Sequence, residues 1–366
     1  MQIYTLKCEM LTPVHIGSGE ALEPFDYVIR ENTFYRIALE DCLFDLSGED
    51  RARFDTMIEK NDLNGIRRLI EEKADLNKTF YTSSITEGVQ GLYREKMGDV
   101  RNQLIVNSFI REGHTHRAYI PGSSLKGSIR TAVVSMKGQG RREEFSRKVE
   151  SGLKGQKSFL FEKGKRPDQE IKQQMERDIE KLILGHRNPQ DDPFRALKIS
   201  DACLPGDATV VSEVKNVGRR EGHLSPDSIQ MMFEVTRSYI SDGDRSSGFE
   251  AMFAVDDDLQ KAKGVSQRLS IEDIVKSCQE FYADKARKDH DFFENSVYAS
   301  YAEQIIGEAQ KTSSDTFLVR VGRFSGVWSV TLDEYRDPQT PKGIYGKTRN
   351  LADGRYPMGW VKVTVS

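Results

Sequence analysis

Three glycine-containing loops, each following a β-prone run, punctuate this chain and constrain its fold most. The first is Val14-His15-Ile16-Gly17-Ser18-Gly19-Glu20, after a stretch from Ile3 to Leu11 that Thr12-Pro13 ends. The second begins at Pro121-Gly122-Ser123-Ser124, after Arg117 to Ile120. The third is Gly322-Arg323-Phe324-Ser325-Gly326, after Phe317-Leu318-Val319-Arg320-Val321. Glycine lets a backbone approach another group closely, and a helix N-terminus offers free N–H groups to an anion. The second loop opens such a helix, with Leu125, Ile129, Ala132 and Val133 on one face.

Between the loops the periodicity alternates. Asp26 to Ile29 and Thr33 to Ile37 predict a hairpin about Glu31-Asn32. Apolar residues from Leu43 to Ile70 recur at spacings of three and four, which predicts short amphipathic helices. Strand character returns at Gln103–Ile110, 196–200, 209–217, 229–240, 248–255 and 359–365. Helical period marks 168–184 and 270–310, the latter with Ile271, Ile274, Val275, Cys278, Phe281 and Tyr282 on one face. The expected organisation is an N-terminal core over 1–136 with a helical insertion at about 39–100. An insertion and helix over 137–195 follow, and then a β-containing half over 196–366 with its helical segment at about 270–310.

Charge narrows the function classes. The chain has 54 Lys and Arg against 57 Asp and Glu, a net charge of −3, so any nucleic-acid footprint is local. The segment 137–172 carries eleven Lys/Arg and six Asp/Glu with repeated glycines, and reads either as an RNA contact or as a solvated loop. Mean hydropathy is −0.59, and no apolar run approaches the ~20 residues of a membrane span. The four cysteines lack CxxC spacing, and the first residues lack an apolar leader core, so a cytoplasmic location is expected. No G-x-S-x-G elbow and no Walker A sequence occur.

Chemistry-bearing residues are sparse. His114-x-His116 could form a metal pair but has no third ligand at a recognised spacing, so loop histidines are the default and no metal or cofactor is expected. Asp256-Asp257-Asp258 reads as a solvated acidic turn. Lys126 and Arg130 lie four apart on the second loop's helix. With Ser123 and Ser124 they could hold phosphates, or they are two solvated cations at an ordinary helix start.

The combination is more specific than its parts. Leu11-Thr12-Pro13-Val14-His15-Ile16-Gly17-Ser18-Gly19, then Tyr119-Ile120-Pro121-Gly122-Ser123-Ser124-Leu125-Lys126-Gly127-Ser128-Ile129-Arg130, resembles the RAMP superfamily of CRISPR proteins. Residues 317–326 and the ending Pro357-Met358-Gly359-Trp360-Val361-Lys362-Val363 agree. The order of motifs and the length look most like the family of fifth Csm subunits of type III-A effector complexes. Phe324 stands where that family often has a second small residue.

The resemblance implies an α+β fold: a ferredoxin-like, RRM-type βαββαβ core with helical insertions and a second, degenerate β-containing half. It implies a non-enzymatic subunit that caps the backbone filament, binds the 3′ region of the crRNA and contacts the adjacent RAMP backbone subunit. Such subunits are also associated with crRNA-trimming cellular nucleases. The expected RNA-binding residues are His15, Gly17, Ser18, Gly19, Ser123, Ser124, Lys126, Arg130, Arg320 and Arg323. Backbone subunits of this kind cut target RNA with an aspartate in the loop where Asp26 falls here, but the capping subunit is not known as the slicer. Two alternatives stay open: a RAMP subunit of a type III-B complex, and a metal-independent RAMP-type endonuclease using a histidine such as His15 as general base.

Overall fold

The computed structural model describes residues 2–366 except 100–103, 142, 146, 148–168, 221–222, 227–230, 244–246, 263, 330–338, 341–342 and 345. Most of the basic segment 137–172 therefore lies outside the described residues. Two large sheets dominate. The first has five antiparallel strands in the order Thr316–Arg320, Trp360–Val365, Gln2–Met10, Gly248–Val255, Leu197–Ile199. Setting aside the edge strand Thr316–Arg320, the other four run fourth, first, third, second in chain order. Helix Gly122–Gly138 falls between the first and second of them, and helix Ile271–Phe293 between the third and fourth. This is the ferredoxin-like arrangement, with both helices on one face of the sheet.

The N-terminal strand lies at the centre, pairing Leu6 with Ala251 on one side and with Val365 on the other. Residues from 1–136 and from 196–366 thus share one sheet. Strand alternation turns Leu6, Cys8 and Met10 inward with Val361 and Val363. They meet Leu125, Ile129 and Val133 of the first helix and Ile274, Cys278 and Phe281 of the second. Each such fully buried aliphatic or aromatic side chain contributes roughly 1.5–3 kcal/mol. The second helix starts at Ser270, whose side chain accepts from the Asp273 N–H. Its buried stripe runs past the apolar residues to Asp289.

The second sheet follows the path Gly17–Leu22, Val106–Phe109, Met231–Thr236, Thr209–Arg220, Thr79–Ile85, Thr33–Ile37, Tyr27–Arg30, with three short strands off it. The hairpin over 27–37 forms as expected, with Glu31 and Asn32 both at positive φ. Two strands depart from the expectation. Gly17–Leu22 extends the first glycine loop into an edge strand paired with Val106–Phe109. Thr79–Ile85 lies inside the segment expected to be helical, between helices Leu63–Lys73 and Glu87–Lys96, and bridges Thr33–Ile37 and Thr209–Arg220. Its run of Thr, Phe, Tyr and Ile suits a strand. Among the described residues no helix is long and apolar enough to cross a membrane.

Candidate nucleic-acid interface

Leu11–Ile16 passes from the first sheet to the second, and the other loop motifs close on it. The Gly359 N–H donates to the Pro13 carbonyl at 2.8 Å, and the Trp360 N–H to Thr12 Oγ1 at 2.8 Å. Val14 and Thr236 exchange two bonds, Val14 N–H to Thr236 Oγ1 at 3.0 Å and Thr236 N–H to the Val14 carbonyl at 2.9 Å. The Arg323 N–H donates to the His15 carbonyl at 2.9 Å. Gly322 makes that approach feasible: its φ is +87°, and a Cβ there would overlap the His15 carbonyl oxygen. Segments 11–19, 322–326 and 357–360 form one junction although more than 300 residues separate the first from the other two.

His15 lies beneath this junction, 1% exposed. Its Nδ1–H donates to the Glu234 carbonyl at 2.7 Å, which leaves Nε2 as the unprotonated nitrogen. Nε2 is buried without a partner among the described residues, and a Cβ on Gly17 would sit 3.0 Å from it. The ring packs edge-on against Phe233 at 4.8 Å and lies 6.1 Å from Phe324. Burial pushes the imidazole below its usual value, the Glu234 carbonyl bond opposes this, and nearby Arg323 adds to the lowering. Phe324, in place of a small residue, packs against both His15 and Phe233.

Gly17, Ser18, Gly19 and Arg323 face outward at this junction. Ser18 Oγ pairs with Ser108 Oγ at 2.7 Å and accepts from the Glu20 N–H, which holds the loop open. Gly19 has φ +88° with open space where a Cβ would stand. The Arg323 guanidinium lies 5.4 Å from the Phe233 ring and, among the described residues, has no carboxylate partner. An exposed arginine beside a serine-glycine loop can hold phosphate oxygens without reading bases.

The other expected contacts lie elsewhere. Gly122 packs on the Ile199 carbonyl, and its N–H donates to Asp201 Oδ1 at 2.8 Å, so a carboxylate already caps this helix start. Ser123 is exposed there and Ser124 half-buried. Lys126 Nζ donates to the Leu197 carbonyl at 2.7 Å, and its ammonium is held below the usual value by burial and then by Lys198. Arg130 pairs with Glu180 and with Asp192 at 2.8 Å. The helix touches the loop junction one turn later, where Ser128 Oγ donates to the Arg320 carbonyl at 3.0 Å.

Arg320 is 5% exposed, and its guanidinium pairs with Asp289 at 2.8 Å. Arg349 pairs with the same carboxylate at 2.6 Å, and the Trp360 indole N–H donates to it at 3.3 Å. Burial alone would raise the Asp289 carboxyl, but Arg320 and Arg349 outweigh this and hold it below its usual value. A second buried centre supports His15 from below. Glu234 pairs with Arg111 and accepts from Ser83 at 2.7 Å, Thr209 at 2.9 Å and the Phe109 N–H at 3.0 Å. Motif reasoning missed Asp289 and Glu234. Their signal was a carboxylate on a mostly apolar stripe, in Met-Met-Phe-Glu-Val-Thr and at helix spacing after Tyr282 and Lys285.

Asp26 caps its own turn. Its Oδ2 accepts from the Glu23 N–H at 2.8 Å, and Arg36 lies 3.7 Å from its carboxylate. His116 sits in a loop against Phe80, and no group of three or more metal-ligating side chains occurs among the described residues.

A ferredoxin-like core joined to a second sheet through converging glycine loops is the architecture that the fold defines. The sequence matches the RAMP superfamily over residues 7–325, and the chain belongs to that superfamily. It is similar to the CRISPR system Cms protein Csm5 of Methanocaldococcus jannaschii, with 29% identity over 205 residues, 54% of this chain and 42% of that protein. The aligned stretch thus spans less than half the length of that curated relative. The fold is similar to a chain of the Csm–crRNA–target RNA ternary complex of a type III-A CRISPR–Cas system, at TM-score 0.66, 20% identity and full coverage of both chains. It is also similar to T. onnurineus Csm5, at TM-score 0.60 and 20% identity, covering 98% of this chain and 99% of the other.

Proposed function

We propose that this protein is a crRNA-binding subunit of a type III-A Csm effector complex, placed at the crRNA 3′ end, where it caps the filament without cutting RNA. The observation that carries the proposal is the junction of the glycine loops, with Arg323, Ser18 and the Gly17–Gly19 backbone facing outward from a rigid support. Such a surface grips phosphates irrespective of sequence, as a guide RNA requires. Its partners are the crRNA 3′ region, the adjacent RAMP backbone subunit and the cellular nucleases that trim the guide. The likeness to Csm5 and to a chain of a Csm–crRNA–target RNA complex supports this reading. The burial of His15 argues against that residue as the general base of the endonuclease alternative, since its Nε2 has almost no exposed surface from which to meet a 2′-OH.

The test is a reconstituted complex. Omitting the subunit yields crRNA with lost or untrimmed 3′ ends, while Asp26→Ala leaves every target-RNA cut in place. Loss of one cleavage product in the Asp26→Ala complex, with assembly intact, would make this subunit an enzyme and overturn the proposal.

A further inference from the structure

We infer that Asp289, which lies in no motif, is the positioning residue that aims Arg323 at the RNA; the inference rests on the RNA-binding reading above. Asp289 is 2% exposed near the C-terminal end of helix Ile271–Phe293. Its carboxylate faces two buried guanidiniums, Arg320 at 2.8 Å and Arg349 at 2.6 Å. One negative charge thus holds two positive ones in an enclosed place, where an unpaired guanidinium is costly.

Arg320 is the link to the surface. Its Nε–H donates to the Met358 carbonyl at 3.0 Å, and the next residue, Val321, donates its N–H to the Gly359 carbonyl at 2.8 Å. Gly359 and Gly326 both have positive φ, and both lie against Arg320: a Cβ on Gly359 would be 3.2 Å from Arg320 Cγ, one on Gly326 3.5 Å from Arg320 Nη1. The Arg320 side chain therefore braces the loop 322–326 on one side and 357–359 on the other. Arg323 stands three residues beyond it, tied by its N–H to His15. Without the Asp289 carboxylate, Arg320 and Arg349 repel each other and the brace shifts. The loop then loses the register that presents Arg323, although Asp289 itself touches no RNA. Arg349 shares the carboxylate but bonds the Gly346 and Thr348 carbonyls and, among the described residues, makes no hydrogen bond to the loop 322–326.

The experiment measures binding of a labelled, mixed-sequence single-stranded RNA to the full chain across a salt series, for wild type, Arg323→Ala, Asp289→Asn, Arg349→Met and Asp289→Asn/Arg323→Ala. Arg323→Ala lowers the salt slope by about 0.7, the value of one phosphate contact on a single strand. Asp289→Asn weakens binding about tenfold, the scale of one charged contact, with the same fall in slope. The double variant binds no more weakly than Arg323→Ala alone, because both remove the same contact. Arg349→Met keeps the wild-type slope even where it lowers the melting temperature. Wild-type affinity and slope in folded Asp289→Asn, or losses that add in the double variant, overturn the inference. Where Asp289→Asn does not fold, Arg320→Lys replaces it and is read by the same two criteria, since lysine keeps the charge but lacks the fork that also reaches Met358. If wild type binds no RNA, the RNA-binding reading fails by itself. Hydrogen exchange of the Arg323 amide then decides the brace: faster in Asp289→Asn than in Arg349→Met supports it, and equal rates overturn it.

Discussion

Gly322→Ala tests whether the loop junction is the rigid element it is taken to be. Three costs follow from the structure. The φ of +87° places the residue in the left-handed region, which costs a non-glycine residue roughly 1–2 kcal/mol. The added methyl also overlaps the His15 carbonyl oxygen, so the backbones must part by about 1 Å, with repacking worth roughly 1–3 kcal/mol. That displacement breaks the bond from the Arg323 N–H to the same carbonyl, a further loss of about 1 kcal/mol. The total is about 3–6 kcal/mol. Gly19→Ala is the matched control, because φ is +88° but nothing lies within 4 Å of the new methyl. It costs only the backbone term, about 1–2 kcal/mol. For a chain of this length, roughly 2.1 cal/mol/K per residue of unfolding entropy makes 1 kcal/mol worth about 1.3 °C. Differential scanning calorimetry of the full chain should then show Gly19→Ala lower by about 1–3 °C and Gly322→Ala by about 4–8 °C. Equal shifts would refute the reasoning, since they would mean that the close approach of the two loops carries no energy.

Lys126→Ala/Arg130→Ala lowers the melting temperature by about 1–3 °C, because Glu180 and Asp192 lose their half-buried partner at about 1–2 kcal/mol; an unchanged melting curve would place both cations on a solvated face. Glu234→Gln removes the charge facing Arg111 and costs about 3–5 kcal/mol, read by urea unfolding, with the near-ultraviolet signal of the Phe233–Phe324 contact changing first. The Glu308 carboxyl is held down at about 2: burial opposes this, but Lys362 and Lys311 outweigh it. Its folded value is depressed, so its contribution is present above the ordinary value near 4.5 and is lost as pH falls toward 2. Glu308→Gln should therefore reduce the pH dependence of unfolding free energy by up to about one proton within that window, and an unchanged slope would contradict the assignment.

Much of the fold is legible in local pattern. Glu31-Asn32 between two β-prone runs marks a two-residue hairpin turn, and the stripe from Ile271 to Tyr282 marks the long helix, because both signals act within a few residues. The run Thr79–Ile85 was equally β-prone but lay among helical periods, and its strand state is decided by partners at 33–37 and 209–220. The first loop was legible as glycine-rich. Its continuation as an edge strand depends on Val106–Phe109, which lies some ninety residues away.

The site divides along the same line. The sequence by itself determined which segments carry the glycines, serines and cations, since residue identity sets what a loop can do: adopt positive φ, offer N–H groups, hold a charge. It also determined the core pattern of alternating and helical apolar residues, because those periods follow from backbone geometry alone. Only the tertiary structure decided which cations meet solvent. Arg320 and Arg323 are three residues apart in one motif, yet the first is enclosed with Asp289 and the second stands outside beside Phe233. Lys126 and Arg130, on the helix with the clearest motif, are turned to Leu197, Glu180 and Asp192. The physical reason is that a charge's environment is the sum of neighbours brought from other parts of the chain. Burial, ion pairing and loop convergence arise from strand pairings hundreds of residues apart, such as Leu6 with Val365, which no local spacing encodes.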